Sequence, residues 1–302
     1  MTSNKIINRV LILGGTGMLG HQLIYRFKDR FDTFTAVRQT FDKLPPDIFN
    51  KERTITQVSA ESFETVTRAV DKVKPQAVVN CIGIVKQQKA AKDPIPSIAV
   101  NALFPHLLAQ YCHGKQVRVI HVSTDCVFSG NKGSYKESDE ADAQDLYGRT
   151  KFLGELDYEN TVTIRTSIIG HELNSIQGLL EWFISQQGKS VEGYTNAVFS
   201  GFTTKALAEV IVEILKHRNL SGVWHVASSP ISKFDLLSLI NKEYGLDVTI
   251  KPNTAFSCNR SLNAHRFTKA TGFNPPSWEK MIQEMYEDYS IYKRLRRFYA
   301  HK

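Results

Sequence analysis

Two hydrophobic periods alternate along the first half of the chain. Val10-Leu11-Ile12-Leu13 is a short apolar run that predicts a strand, and the glycine-rich stretch 14–20 ends it. Leu19, Leu23 and Phe27 then recur at helical spacing. Residues 34–37 predict a second strand closing at Arg38. A helix capped by Ser62 runs to about Val73, Pro75 breaks it, and residues 77–81 predict a third strand. Residues 101–112 predict a helix with Pro105 in its first turns, and residues 117–122 a fourth strand. A polar loop, 130–145, precedes a helix carrying Tyr147 and Lys151, and residues 161–165 predict a fifth strand. After Gly170 the alternation fades. Helices are predicted over 177–187, 203–217 and 234–244, the last capped by Ser232, with a strand at 223–226. A final helix starts at Trp278 behind Ser277.

Strands alternating with helices predict an α/β fold, a doubly wound parallel sheet of the Rossmann type with a smaller C-terminal α/β lobe. The expected division is a dinucleotide-binding domain over 1–170, with added elements from 200–230, and a substrate lobe over 171–302. In such sheets ligands bind beyond the carboxyl ends of the strands. The glycine turn, residues 80–83, Ser123-Thr124-Asp125 and Arg165 all fall at such ends.

Composition narrows the class. A hydrophobic fraction of 42% and a charged fraction of 23% over 302 residues suit one large or two modest domains with a full core. No apolar run reaches the ~18 residues of a membrane span, and the start does not read as a signal peptide. Cys81, Cys112, Cys126 and Cys258 are scattered without metal spacing, so they read as reduced thiols in a cytoplasmic protein, with no metal site. The net charge of +8 admits nucleic acid, a membrane surface or an anionic small substrate. Part of it is local, in Lys293-Arg294-Leu295-Arg296-Arg297 and in the loop with Lys86, Lys89 and Lys92. The tail reads as a solvated helix end, and no nucleic-acid motif accompanies it.

Two patterns carry chemistry. Gly15-x-Gly17-x-x-Gly20 follows an apolar strand and opens a helix, the context in which glycines let backbone approach a pyrophosphate. Arg38 closes the second strand, where a guanidinium suits a ribose 2′-phosphate and an acidic residue would suit a free 2′-hydroxyl, so NADPH is expected, with NADH as the alternative. Tyr147 and Lys151 stand four apart on one helix face. An ammonium there is expected to lower the phenol's pKa and ready it for proton transfer.

Together, Gly-x-x-Gly-x-x-Gly from Gly14, Ser123-Thr124-Asp125 and Tyr147-x-x-x-Lys151 resemble an extended short-chain dehydrogenase/reductase. The run Ser-Thr-Asp-Cys-Val-Phe-Ser-Gly at 123–130, the run Tyr-Gly-Arg-Thr-Lys-Phe-Leu-Gly-Glu at 147–155 and Arg165-Thr166-Ser167 are similar to the dTDP-4-dehydrorhamnose reductase branch. The resemblance covers essentially the whole chain. It implies that Thr124 holds the substrate carbonyl oxygen, that Tyr147 donates the proton, and that Lys151 tunes Tyr147 and binds the nicotinamide ribose. It implies cofactor contacts at Gly14, Thr16, Gly17, Met18, Leu19, Arg38, Ser59, Cys81, Ile82, Gly83, Tyr147 and Lys151. Substrate contacts are implied at Thr124, Asp125 and Arg165, and Asn101 is similar to a family asparagine. Asn80 also reads as a turn residue, and Asp125 as a loop carboxylate.

The chain departs from that branch at Ile168, where relatives often have an aromatic residue, at Ser59, where many have an acid, and in the loop 84–89. Cysteine at 126 replaces the glutamate that a sugar-nucleotide dehydratase needs after its aspartate. The expected activity is NAD(P)H-dependent reduction of a keto group on a nucleotide-linked deoxysugar, in polysaccharide precursor biosynthesis. The alternatives are a nucleotide-sugar epimerase and a non-catalytic NAD(P)-binding regulator. The expected partner is a nucleotide-sugar, with no nucleic acid and no membrane, and a homodimer is left open.

Overall fold

The computed structural model describes residues 7–300 apart from 88 and 174. Residues 1–6, the start of the stretch read for a signal peptide, lie outside the described residues, as do the side chains of Lys89 and Arg297. In chain order, β1 (Arg9–Leu13) leads through α1 (Met18–Phe27) to β2 (Asp32–Ala36) and β3 (Thr54–Ile55), and α2 (Phe63–Val73) leads to β4 (Ala77–Asn80). Next come α3 (Pro94–Ser97), α4 (Phe104–His113), β5 (Arg118–Val122), α5 (Leu146–Leu153), β6 (Thr161–Arg165) and β7 (Ile168–Ile169). Then follow α6 (Leu179–Ile184), β8 (Ser190–Phe199), β9 (Phe202–Thr203), α7 (Thr204–Lys216), β10 (Gly222–His225) and β11 (Ile231–Ser232). The chain closes with α8 (Lys233–Glu243), β12 (Thr249–Asn259), α9 (His265–Thr271), α10 (Trp278–Glu287) and α11 (Tyr289–Ala300).

The chain divides into two units. The first comprises 1–123, 150–164 and 208–223. It is built on a seven-stranded sheet in the order β10-β6-β5-β4-β1-β2-β3, with parallel pairing from β3 through β6. Strand order reverses beside β1, which is the switch point where such sheets bind ligands. Alternate residues of β1 face opposite sides. Leu11 and Leu13 join Val78 and Val119 in a core with Val66, Val70 and Val73 of α2 and Phe104 and Leu108 of α4, while α1 packs on β1 and β2.

One helix begins earlier than its sequence predicts. The Asp93 side chain accepts from the Ile95 N–H at 3.1 Å and Pro94 takes the first helical position, so α3 starts where two prolines suggest a loop. Residues Ile98–Leu103 continue into α4 as a π-helical segment containing Asn101. At the predicted start of α2, Ser62 makes no side-chain cap.

The second unit comprises 124–149, 165–207 and 224–302. Its sheet runs β11-β8-β12, with β12 parallel and β11 antiparallel to β8. The basic tail is not simply a solvated helix end. It forms α11, where Leu295 is buried and Arg296 ion-pairs with the buried Glu181. Glu181 also meets His171 Nδ1 at 2.7 Å, and the other ring nitrogen of His171 lies 3.0 Å from the Tyr244 hydroxyl. No helix among the described residues is long and apolar enough to cross a membrane.

Candidate active site

In the first unit, the glycine turn sits at the carboxyl end of β1. Gly14 has φ +83, a left-handed conformation that favours glycine, and its N–H donates to the Ala36 carbonyl on β2. A Cβ at Gly20 would strike the Gly14 carbonyl, and one at Gly15 the Thr35 hydroxyl, so both glycines let α1 close onto the sheet. A Cβ at Gly17 would meet only the Gly14 oxygen, at 3.3 Å. Gly17 is the N-cap of α1 and offers no side chain to its first N–H groups, Met18 and Leu19 among them. An open backbone face and an uncapped helix start fit the pyrophosphate of a dinucleotide.

The neighbouring strand ends complete this edge. Thr16 lies 3.4 Å from Gln39 across the turn. Arg38 is exposed just beyond β2, and among the described residues its guanidinium has no intramolecular partner. Ser59 follows β3, and its N–H donates to the Thr65 hydroxyl at 2.9 Å. Past β4, the Asn80 side chain accepts from the Ile82 N–H at 3.0 Å, the turn expected of it. Asn101 accepts from the Ile84 N–H at 2.9 Å and donates to the Ile84 carbonyl at 3.0 Å, which pins the loop after Gly83. A Cβ on Gly83 would lie 3.4 Å from Asn101 Oδ1 and 3.9 Å from Lys151 Nζ. Burial pushes the Cys81 thiol up to about 12, so it stays protonated. Lys151 donates to the Val122 carbonyl at 2.8 Å, and burial pulls its ammonium down to about 8, against the opposing charge of Glu155.

In the second unit, Thr124, Asp125 and Tyr147 come together. Asp145 accepts from the Gly148 N–H at 2.8 Å and so caps α5, the helix that carries both Tyr147 and Lys151. A Cβ at Gly148 would strike the Cys126 carbonyl, so the absence of a side chain lets this helix start lie against Cys126. The Thr124 hydroxyl lies close enough to Tyr147 to lower the phenol's pKa. Thr124 Oγ1 also lies 3.3 Å from Asp125 Oδ1 and accepts from the Cys126 N–H at 3.1 Å.

Here the expected electrostatics fail. Burial, then Cys126, raise the Tyr147 pKa above its ordinary value, with Thr124 opposing. Removing water from a phenolate costs more than the neighbouring groups return, so Tyr147 is held as a neutral phenol. Burial also raises Asp125, against Arg260 and Lys233. The described contacts of Arg165 place it in the lobe interior, its guanidinium over Phe128 and 3.3 Å from His225. The sequence did not single out Lys233 or Arg260, which occur in no pattern of fixed spacing.

A doubly wound sheet with this β1–α1 turn, and with Tyr147 and Lys151 on one helix beside a Ser-Thr-Asp run, defines an extended short-chain dehydrogenase/reductase. The chain belongs to the RmlD substrate binding domain family, whose model matches residues 8–291. It is 24% identical over 300 residues to the spore coat polysaccharide biosynthesis protein SpsK of Bacillus subtilis, covering 94% of this chain and 99% of that one. It is 24% identical over 305 residues to the dTDP-4-dehydrorhamnose reductase of Aggregatibacter actinomycetemcomitans, covering 92% and 98%. The dTDP-4-dehydrorhamnose reductase of Bacillus anthracis, solved in complex with NADP, superposes with a TM-score of 0.75 at 21% identity over 93% of this chain and 99% of that one. At that identity the superposition establishes the shared fold.

Proposed function

We propose that this chain is an NAD(P)H-dependent reductase of a keto group on a nucleotide-linked deoxysugar, serving polysaccharide precursor synthesis. The packing of the α5 start, with Tyr147, against the Cys126 carbonyl, while the Cys126 N–H donates to Thr124 Oγ1, carries the reading. Two hydroxyls held side by side can both donate to one carbonyl oxygen, and donors fixed in advance stabilise the charge that develops there. Tyr147, kept neutral by burial, is a proton donor in the reducing direction, and its proton ends on the former carbonyl oxygen. Thr124 orients that oxygen, and Asp125 offers an acceptor to a sugar hydroxyl. The turn at 14–20 would hold the pyrophosphate, Arg38 and Ser59 the adenosine end, and Cys81, Ile82, Gly83 and Lys151 the nicotinamide riboside. The chemistry that bound NADPH supplies is the hydride for the carbonyl carbon. On this reading 1–170, with elements from 200–230, binds the cofactor and 171–302 the substrate.

The assay is NADPH consumption with a panel of 4-keto sugar nucleotides. Steady consumption is expected. Sugar conversion with no net cofactor change would indicate an epimerase, and binding without either a regulator. We extend the proposal to a homodimer. Ile95, Ile98 and Leu103 are exposed before α4, Phe152 and Leu153 are exposed on α5, and His106 joins the two elements through the Leu153 carbonyl at 2.7 Å. A monomeric mass in solution would remove that extension.

Two further results are expected. Arg38→Ala should weaken NADPH binding roughly ten- to a hundred-fold, the worth of a charged hydrogen bond, and leave NADH almost unchanged. Titration of both cofactors by fluorescence checks this, and equal weakening would make Arg38 an ordinary surface arginine. The second concerns pH. Lys151 is charged below its pKa of about 8 and neutral above it. Its contribution to holding the ribose should therefore fade as pH rises through about 8, and kcat/KM should fall there. A profile flat from pH 7 to 9 would contradict the role given to this ammonium.

A further inference from the structure

Near the carboxyl ends of β4 and β5, the first unit holds a buried histidine that the proposed mechanism does not use. His121 stands opposite Asn80 in the parallel pairing of the two strands, and both side chains are fully buried. The Ile82 N–H can only donate, so the atom of the Asn80 amide that faces it at 3.0 Å is the oxygen. The amide nitrogen then faces His121 Nδ1 at 3.1 Å. An amide nitrogen also only donates, so Nδ1 must accept, and the ring is neutral with its proton on Nε2. Burial, then Lys151 and His106, hold the His121 pKa well below its ordinary value, which suits a neutral ring.

That arrangement is destabilising in itself. Among the described residues His121 Nε2 is buried without a hydrogen-bond partner, and a buried donor left so is uncommon. In the other tautomer Nδ1–H would meet the Asn80 nitrogen, donor against donor. The amide could relieve this only by turning its oxygen to the ring, and the Ile82 N–H would then face a donor. The orphaned proton is therefore the alternative to losing the hold on Ile82. That hold bears on the glycine turn. The Cys81 carbonyl and the Ile82 nitrogen lie against Gly14, where a Cβ would meet both at 3.1 Å. The Cys81 N–H donates to the Leu13 carbonyl at 3.0 Å. One peptide, Cys81–Ile82, thus joins the end of β4 to the turn after β1.

We propose that His121 is a positioning residue for the dinucleotide: through its Nδ1 lone pair it orients the Asn80 amide that holds Ile82, and so keeps the Cys81–Ile82 peptide seated against the pyrophosphate turn. The inference rests on the reductase reading for the placement of the cofactor along this edge. His121 acts through Asn80 and not on the reacting atoms.

The test uses the full chain with nitrogen-15 histidine, read by NMR, and NADPH titrated by fluorescence. At neutral pH the native His121 ring should show a bare Nδ1 and a protonated Nε2, its signals assigned by their absence from His121→Asn. His121→Leu exchanges the orphaned Nε2 proton for an unpaired Asn80 donor, so thermal unfolding should change little. NADPH binding should weaken roughly ten-fold, the worth of a hydrogen bond. His121→Asn places an acceptor oxygen near the position of Nδ1 and should restore most of that affinity. A protonated Nδ1 in the native chain overturns the proposal without any variant. Native affinity in His121→Leu also overturns it, as does a His121→Asn chain that binds as weakly as His121→Leu. Affinity lost only in step with thermal stability would make His121 an ordinary core residue, and that too overturns it. The expected tautomer and affinities with no NADPH consumption on any 4-keto sugar nucleotide would leave the positioning role standing and remove the reductase reading. Turnover with NADPH affinity indifferent to both variants would do the reverse.

Discussion

Tyr147→Phe should bind NADPH as the native chain does and lose turnover by ~10²–10⁴-fold, the usual contribution of a positioned acid. Phenylalanine keeps a ring at the start of α5, so the approach of Gly148 to the Cys126 carbonyl and the Asp145 cap are undisturbed. What disappears is the phenolic proton that Tyr147 carries on this helix. The loss belongs in kcat more than in KM, because the phenol's proton moves as charge develops on the oxygen and not when substrate docks. Cofactor fluorescence and steady-state rates, measured on the same preparation, check both halves. Native-like turnover would remove Tyr147 from the chemistry.

Gly17→Val should abolish NADPH binding while the protein stays folded. Gly17 has φ −72, which any residue adopts, and a Cβ there meets only the Gly14 oxygen at 3.3 Å. The cost to the fold is therefore small. The γ-methyl groups, however, would stand in front of the uncapped N–H groups of α1, in the space the pyrophosphate needs. This separates Gly17 from Gly15 and Gly20, where a side chain would strike Thr35 or the Gly14 carbonyl and disturb helix packing itself. Thermal unfolding should change little, and NADPH fluorescence should show no complex. A variant that binds NADPH normally would displace the cofactor from this turn.

The nucleotide half of the fold was legible because its signals agree at each level. The apolar run of β1, the glycines and the helical spacing of Leu19, Leu23 and Phe27 all point to strand, turn and helix. The lobe was less legible. β8 and β12 hold its sheet together, yet β12 is mostly exposed and contains Pro252, so it shows no apolar alternation. The earlier start of the helix at Pro94 was hidden because prolines mark a break inside a helix but a beginning at its first turn.

The candidate site was legible in its residues and not in its electrostatics. Spacing places Tyr147 and Lys151 on one helix, and the structure keeps them there. Spacing carries no information about water, and it is loss of water that raises Tyr147 and lowers Lys151. Lys233 was invisible for a related reason. Nothing in the sequence near it distinguishes it from a surface lysine, and only the pairing of β11 with β8 brings it to the ring of Phe199.

The central claim, that this chain adds hydride and proton across a sugar carbonyl, is tested most directly by isotope transfer. The native chain is incubated with NADPH carrying deuterium at the transferable position and a thymidine-diphospho-4-keto-6-deoxyhexose, and the sugar product is examined by mass spectrometry and NMR. The account predicts one deuterium, bonded to the former carbonyl carbon in a single configuration, formed in step with oxidised cofactor and lost with Tyr147→Phe. Sugar product without deuterium, or native-level labelling by Tyr147→Phe, would contradict it.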